Sequence, residues 1–271
     1  MTYTTRPHLP GGHSDEAPPG PSGTGLPHPT PLPIPGPAPA PAPAPAPEHG
    51  SGGRSPVPEG GSALSRILLI RHAQSHASVN RLVAGERNCD GLTDLGREQS
   101  AHLAKRLASG ADPLHALLTS PVPRARETAE ALGTHLGLGP PAVDTEVREL
   151  DFGRADGLSI QEYGQHYGGF DMTAEPERPF APGGESWAQL LSRARGFMGR
   201  LVRQRPRQSV LVVCHSGFIV AASVGLLGIA PPEMFTDTSP APTSINEFVH
   251  GDDGWRLACY DDRAHLAALE G

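Results

Sequence analysis

The sequence predicts an α/β fold, a three-layer sandwich in which helices cover both faces of a mostly parallel central sheet. Short, almost entirely apolar runs such as Arg66–Ile70 and Val210–Val213 are typical of strands that are buried on both faces. Segments with the helical spacing of apolar residues lie between such runs. Strands that alternate with helices along a chain build a parallel sheet, so both observations indicate the same fold class.

Capping and turn residues delimit the first half of this fold. Thr93 is a candidate N-cap for the helix that follows the first strand. A second strand is expected near His115–Thr119, and Pro121–Pro123 opens the next helix because proline is tolerated in a first helical turn. A third strand is expected over Ala142–Val147.

The second half begins with a segment of weak periodicity. Leu150–Glu185 is rich in Gly, Pro and acidic residues, so we expect it to run over the surface. Beyond it we expect a helix over Trp187–Arg203, the strand Val210–Val213, a helix over Phe218–Leu227, and a hairpin of Thr243–His250 with Arg256–Tyr260.

One apolar run has the length of a membrane-spanning helix. Val210–Ala230 contains about 21 mostly apolar residues, which a hydropathy window would select. It carries His215, Ser216 and Gly217 in its middle, and its first part is β-branched. We therefore predict a buried strand, a turn and a buried helix here, and no membrane span.

The first 62 residues differ in composition from the rest of the chain. They contain 18 of the 31 prolines, and proline alternates with alanine from Pro37 to Pro47. Such a segment buries too little apolar surface to offset the entropy cost of backbone ordering. We predict a disordered Pro/Ala/Gly-rich tail over residues 1–62 and one folded domain over residues 63–271.

Charge and cysteine content exclude several classes of partner. The net charge of −7 argues against a binder of nucleic acid or of anionic membranes. The three cysteines lack CxxC spacing, so neither a disulfide framework nor a zinc site is predicted. The first residues have no apolar core of a secretory signal, and we expect a cytoplasmic protein.

Charged and polar residues follow three of the predicted strands. Arg71 and His72 follow the first strand, Arg124 follows the second, and His215 and Ser216 follow Val210–Val213. The carboxyl ends of parallel strands meet at one edge of a sheet, where ligands bind. Arginines can neutralise a phosphoryl group, a helix N-terminus after Ser216 can donate N–H groups to it, and a neutral imidazole can attack it.

This constellation resembles a known family. The segment from Arg71 to Ser75 resembles the Arg-His-Gly-x-Thr signature of the histidine phosphatase superfamily, whose fold is the phosphoglycerate-mutase-like fold. Four further segments resemble family motifs in the expected order: Leu92–Gln99, Ser120–Ala129, Arg148–Gly157 and Val212–Gly217. Together the five motifs span nearly all of the predicted domain and none of the tail.

The resemblance implies a mechanism and its residues. His72 is implied to be the nucleophile that becomes a phosphohistidine, with Arg71, Arg124 and His215 binding the phosphoryl oxygens. Glu149 is implied to protonate the leaving oxygen and then to activate water. No metal and no cofactor is implied, and the expected substrate is a small phosphorylated metabolite.

Some positions depart from the family pattern. Ala73 replaces the usual glycine of the signature. Ser78 stands where the family has an asparagine that contacts phosphate, and Asn80 lies two residues later, so either residue is a candidate for this contact. Ser216 and Gly217 complete the expected substrate-binding residues.

Two other functions were weighed against a phosphatase. A phosphoglycerate-type phosphomutase is disfavoured because Gly153–Glu185 contains no lysine and is acidic overall. A catalytically idle phospholigand-binding domain is disfavoured because the nucleophile, both arginines, the acid and the second histidine are all present. The sequence leaves open whether the protein is a homodimer.

Overall fold

A computed structural model describes residues 64–110, 112–229 and 239–269. The tail predicted over residues 1–62 lies outside the described residues. Within the described part the strands are β1 (Ser65–Arg71), β2 (Ala116–Thr119), β3 (Ala142–Val143), β4 (Ser209–Cys214), β5 (Ile245–Gly251) and β6 (Gly254–Asp262). The helices are α1 (His76–Val79), α2 (Asp94–Ala108), α3 (Pro123–Leu136), α4 (Ile160–Tyr167), α5 (Trp187–Gln204) and α6 (Ser216–Leu227).

The strands form one mixed sheet in the order β3-β2-β4-β1-β5-β6. The pairs β3-β2, β2-β4 and β4-β1 are parallel, whereas β5 and β6 are antiparallel to their neighbours. In the register of β1 with β4, Arg71 lies opposite Cys214, and the backbone N–H of His72 donates to the Cys214 carbonyl at 2.9 Å. The two predicted histidines therefore leave neighbouring strands side by side.

Helices cover both faces of the sheet, as the three-layer prediction requires. Leu68 and Ile70 of β1 pack in one apolar cluster with residues of α2 and α3. Ile67 and Leu69 point to the other face and pack with residues of α5 and α6. Alternate residues of one strand thus serve two separate cores, which explains why the strand is apolar almost throughout.

Several predicted element boundaries are confirmed. Thr93 caps α2, with its Oγ1 accepting from the backbone N–H of Gly96 at 3.0 Å, and Pro123 is the first residue of α3. The long apolar run divides into β4 and α6 on either side of His215, as predicted. Among the helices of the described residues, none has the length and apolar character needed to cross a membrane.

The predicted strand over Ala142–Val147 is wrong beyond Val143. Its partner β2 has only four residues and ends at Thr119. β3 therefore pairs with β2 at two positions, Ala142 with Leu118 and Val143 with Thr119. The Asp144 carboxylate then accepts from the backbone N–H of Glu146 at 3.0 Å and begins a single 3₁₀ turn. A local side-chain cap therefore replaces the strand.

Many residues of Leu150–Glu185 are exposed, as expected of a segment that runs over the surface, but several of its aromatic side chains are not. Phe152, Tyr163 and Phe180 are buried in the core shared with α5 and α6. The rings of Tyr163 and Phe180 stack with centroids 4.2 Å apart, and the Tyr163 hydroxyl donates to the Phe180 carbonyl at 3.0 Å. Irregularly spaced aromatic residues build this core, so periodicity in the sequence does not show it.

Candidate active site

His72 begins the site at the carboxyl end of β1. Its Nδ1 lies 2.7 Å from the Ala73 carbonyl and donates to it, which leaves the lone pair on Nε2. Nε2 accepts from Nε of Arg124 at 3.0 Å. Burial lowers the pKa of His72 well below its usual range, and the charges of Arg124 and Arg71 add to this effect. Burial and neighbouring charge thus favour the neutral imidazole, whose Nε2 carries the lone pair.

Arg124 lies in the first turn of α3, directly beside His72. Its terminal nitrogens donate to the carbonyls of Ala84 at 2.8 Å and Gly85 at 3.2 Å. The side chain is 4% exposed. Arg126, by contrast, is exposed and pairs with Glu130 at 3.6 Å. Of the two arginines in this turn, only Arg124 points into the site, because residues two apart on a helix do not share a face.

His215 follows β4 and lies behind Arg124. Its Nδ1 accepts from a terminal nitrogen of Arg124 at 3.2 Å, and its Nε2 donates to the Ser120 hydroxyl at 2.8 Å. The rings of His72 and His215 are 5.2 Å apart. Burial, followed by the charge of Arg124, lowers the pKa of His215 well below its usual range.

Arg71 contributes a donor that is not satisfied. A terminal nitrogen donates to the Pro240 carbonyl at 2.6 Å, but the buried Nε has no hydrogen-bond partner among the described residues. Burial lowers the pKa of Arg71, and the Glu149 carboxylate opposes this shift. A buried N–H without an acceptor is costly, so this nitrogen is suited to an incoming anion.

Glu149 approaches the histidines from a different part of the chain. Its carboxylate accepts from the backbone N–H of Leu150 at 3.0 Å and from that of Gly217 at 3.3 Å. A Cβ at position 217 would collide with this carboxylate, so any larger residue there would displace it. The N–H of Gly217, which was expected to contact substrate, is thus directed at Glu149.

A cavity of about 430 Å³ connects these groups. Arg71, His72, Arg124 and Glu149 line it together. Ser78 and Ser216 also line the cavity, as does Arg81, which sequence reasoning did not assign. Asn80 is exposed at the end of α1 and is not among the lining residues, so Ser78 is the better placed of the two alternatives.

Three supporting residues were not assigned roles from the sequence. The backbone N–H of Ala73 donates to the Thr128 hydroxyl at 3.1 Å, and that of Gln74 donates to the Gln99 amide oxygen at 2.9 Å. The Asp156 carboxylate accepts from the backbone N–H of Gly85 at 2.9 Å. All three lie inside the family motifs, which is the only signal that could have indicated them.

Other chemistries have little support at this edge of the sheet. Cys214 precedes His215, but burial raises the pKa of its thiol well above the usual range, so it is not a thiolate nucleophile. Within the described ranges, no group of three or more His, Cys, Asp or Glu residues is arranged to hold a metal ion.

Comparison with known proteins identifies the family. A family model of the histidine phosphatase superfamily (branch 1) matches residues 67–263. The chain belongs to this superfamily. Glucosyl-3-phosphoglycerate phosphatase of Mycolicibacterium vanbaalenii is 32% identical over 172 residues, which cover 60% of this chain and 75% of that protein. A phosphatase of Bacillus subtilis, PhoE, is 25% identical over 212 residues, which cover 76% and 99%.

Two solved structures have a similar fold. Mycobacterial glucosyl-3-phosphoglycerate phosphatase Rv2419c matches with a TM-score of 0.62 and 26% identity, covering 73% of this chain and 99% of that one. Bacillus stearothermophilus YhfR matches with a TM-score of 0.65 and 25% identity, covering 74% and 99%. The predicted family, fold class and enzyme class, a phosphatase, are confirmed by these comparisons.

Proposed function

We propose that this histidine phosphatase is a metal-independent phosphomonoesterase that hydrolyses a small phosphorylated metabolite through a phosphohistidine on His72. The observation that carries the proposal is the state of the His72 ring. Its Nδ1 donates to the Ala73 carbonyl while its unprotonated Nε2 faces Arg124 in the cavity. A neutral, oriented nitrogen next to the buried Arg124 and to Arg71 is suited to attack a phosphoryl group.

In the first step the phosphoryl group binds between Arg71 and Arg124. Nε of Arg124 exchanges its bond to His72 for one to a phosphoryl oxygen, and the free Nε of Arg71 gains an acceptor. Nε2 of His72 then attacks phosphorus, and the bond from phosphorus to the leaving oxygen breaks. Glu149, which enters this step in its protonated form, gives the proton to that oxygen and becomes a carboxylate, so the product leaves as an alcohol.

In the second step the phosphohistidine is hydrolysed. Glu149, now a carboxylate, accepts a proton from water, and the water oxygen attacks phosphorus. The P–N bond breaks, inorganic phosphate is released, and His72 regains its neutral state. His215 supports both steps from behind Arg124, because its Nδ1 accepts from a terminal nitrogen of that arginine and so helps to hold it in place.

The substrate is a small phosphomonoester. Relatives that are named glucosyl-3-phosphoglycerate phosphatases support a small phosphorylated metabolite as the substrate. The cavity of about 430 Å³ is large enough to hold such a molecule. Ser78 and Ser216 are proposed to contact the substrate from the cavity wall. All three cysteines are free, which supports a cytoplasmic location. Whether the protein is a homodimer is tested by light scattering of the purified protein.

The experiment that tests the function traps the phosphoenzyme. Wild-type protein is mixed with ³²P-labelled glycerol phosphate in excess EDTA and quenched in alkali. We expect an alkali-stable, acid-labile label and steady release of phosphate. Turnover that disappears in EDTA and returns with added Mg²⁺ or Zn²⁺ contradicts the metal-free mechanism. Binding without turnover supports the idle domain, and transfer to a second hydroxyl supports the mutase.

A further inference from the structure

Arg193 on α5 divides its donors between Glu185 and the backbone of the segment that carries Glu149. Its Nε and one terminal nitrogen form a fork with the Glu185 carboxylate, at 2.9 and 2.7 Å. The other terminal nitrogen donates to the carbonyls of Glu146 at 2.7 Å and Arg148 at 2.9 Å. A fifth bond, 3.2 Å long, joins Arg193 to the carbonyl of Glu149 itself. The five N–H groups of the guanidinium are thus all satisfied.

Glu185 binds the same segment on the other side of Glu149. Its backbone N–H donates to the Asp151 carbonyl at 2.7 Å, and its carboxylate accepts from the Asp151 N–H at 3.3 Å. The ion pair therefore binds the backbone before, at and after residue 149. The Glu149 carboxylate is then directed by two further backbone groups, the N–H groups of Leu150 and Gly217.

The ion pair between Arg193 and Glu185 is shielded from solvent. The side chains of Arg193 and Glu185 are only 10% and 9% exposed. Water therefore does not easily replace a bond that is lost, and a buried guanidinium needs every acceptor. Lysine has one nitrogen in place of the planar fork and does not reach two carboxylate oxygens and three carbonyls together.

We propose that Arg193 is a positioning residue for the general acid and acts on the reaction through the backbone of Glu149. This inference rests on the proposed function, because it matters only if Glu149 transfers the proton. Proton transfer requires the carboxyl group within hydrogen-bond reach of the leaving oxygen, so a small shift of the backbone at 149 weakens it. Phosphohistidine formation from a substrate with a good leaving group does not need this proton.

Arg200 provides a matched control on the same helix. It forms ion pairs with Asp144 at 2.8 Å and with Glu146, and it lies over the Phe197 ring at 5.3 Å. It therefore binds the same segment through side chains, upstream of Glu149. Arg200→Lys makes the same chemical change as Arg193→Lys, but it leaves the carbonyl contacts at residues 146, 148 and 149 intact.

The first test compares two leaving groups in these variants. For Arg193→Lys we expect hydrolysis of glycerol phosphate to fall about 10- to 100-fold, the size of effect that a displacement near 1 Å produces. The burst of nitrophenolate from p-nitrophenyl phosphate should change less than about threefold, and Arg200→Lys should change neither rate by more than that. Equal slowing of both substrates by Arg193→Lys overturns the proposal. If that variant does not fold, Glu185→Gln gives the same comparison.

The second test asks whether Arg193 acts through Glu149. In a Glu149→Gln background the acid is already absent, so adding Arg193→Lys should cost less than about a further twofold on glycerol phosphate. A full additional loss overturns the proposal. If Glu149→Gln itself shows no preference for the good leaving group, the acid assignment in the proposed function fails as well. If Glu149→Gln is selective and Arg193→Lys is not, only the role of Arg193 is wrong.

Discussion

The proposed function assigns different roles to two sides of the cavity, and these sides differ in how the chain positions them. The phosphoryl-binding side consists of Arg71, His72 and Arg124, and it lies where β1 and β2 end. Strand pairing places these residues, because the register of β1 with β4 aligns Arg71 with Cys214. The side chain of Arg124 is then fixed by the carbonyls of Ala84 and Gly85.

The acid side consists of Glu149, Glu185 and Arg193, and no strand ends there. Its contacts join residues 146–151 to the start of α5, more than 30 positions along the chain. The aromatic core around Phe152 and Phe180 lies beneath this segment. The phosphoryl-binding side is thus a product of the sheet, whereas the acid side depends on a few polar contacts between distant segments.

The difference implies that the two sides can be damaged separately. A change on the phosphoryl-binding side should stop all chemistry, because every substrate needs the nucleophile. A change on the acid side should affect only those substrates whose leaving oxygen needs a proton. Variants that slow all substrates equally from either side would show that the two sides act as one unit.

The largest effect is expected for the nucleophile. His72→Ala should abolish turnover and acid-labile labelling, because no other group supplies a nitrogen at that point. His76→Ala is the control: His76 lies four residues later and is exposed, so its loss should leave turnover within about twofold. Rapid-quench labelling measures both. A phosphoenzyme that persists in the His72 variant would mean that another residue accepts the phosphoryl group.

The next effect concerns Glu149 and depends on the leaving group. Glu149→Gln should slow hydrolysis of glycerol phosphate by about 100- to 10,000-fold, because an alkoxide leaves poorly without a proton. The burst from p-nitrophenyl phosphate should survive, since nitrophenolate leaves unaided. Burst and steady-state rates must be measured separately, because the later attack by water also uses Glu149.

Asp151 is the competing acid in this experiment. It is exposed, and its carboxylate accepts from the backbone N–H of Gly153 at 2.9 Å. Asp151→Asn should therefore show no selective loss on glycerol phosphate. A selective loss in this variant, and not in Glu149→Gln, would assign the proton to Asp151.

The contrast between the two sides of the cavity also explains which site residues could be predicted from the sequence. Arg71, His72, Arg124 and His215 follow apolar strands, so their convergence follows from the strand ends of a parallel sheet. The role of Arg193 depends on contacts with backbone carbonyls, and any residue type offers a carbonyl. Such contacts leave no pattern of residue types, and the buried core of residues 150–185 has no regular period either.

A smaller effect is expected from pH, and it tests the phosphoryl-binding side alone. Protonated His72 has no lone pair on Nε2, so the burst should disappear only below the pKa of this imidazole. Burial, with the charges of Arg124 and Arg71, lowers that pKa well below its usual range. The burst from p-nitrophenyl phosphate should therefore keep its rate as pH falls through about 6.5, the ordinary histidine value. An acid limb at or above that value would contradict a buried, neutral nucleophile.

The smallest effect is expected from removing residues 1–62, because every group assigned to either side of the cavity lies after them in the chain. The groups assigned to catalysis and their contacts lie between Arg71 and Pro240, and the family match begins at residue 67. The Pro-Ala-rich composition offers no apolar face that could pack on the domain. The truncated protein should melt within about 2 °C of the full chain, and it should keep kcat/KM for glycerol phosphate within about twofold. Deletion of residues 1–70 is the control. It removes most of β1, which pairs with both β4 and β5 at the centre of the sheet, and should prevent folding.

Two results would contradict this prediction. A large fall in melting temperature after the shorter deletion would show that the first 62 residues contribute to the folded domain. A selective loss of activity on glycerol phosphate would assign them to the acid side.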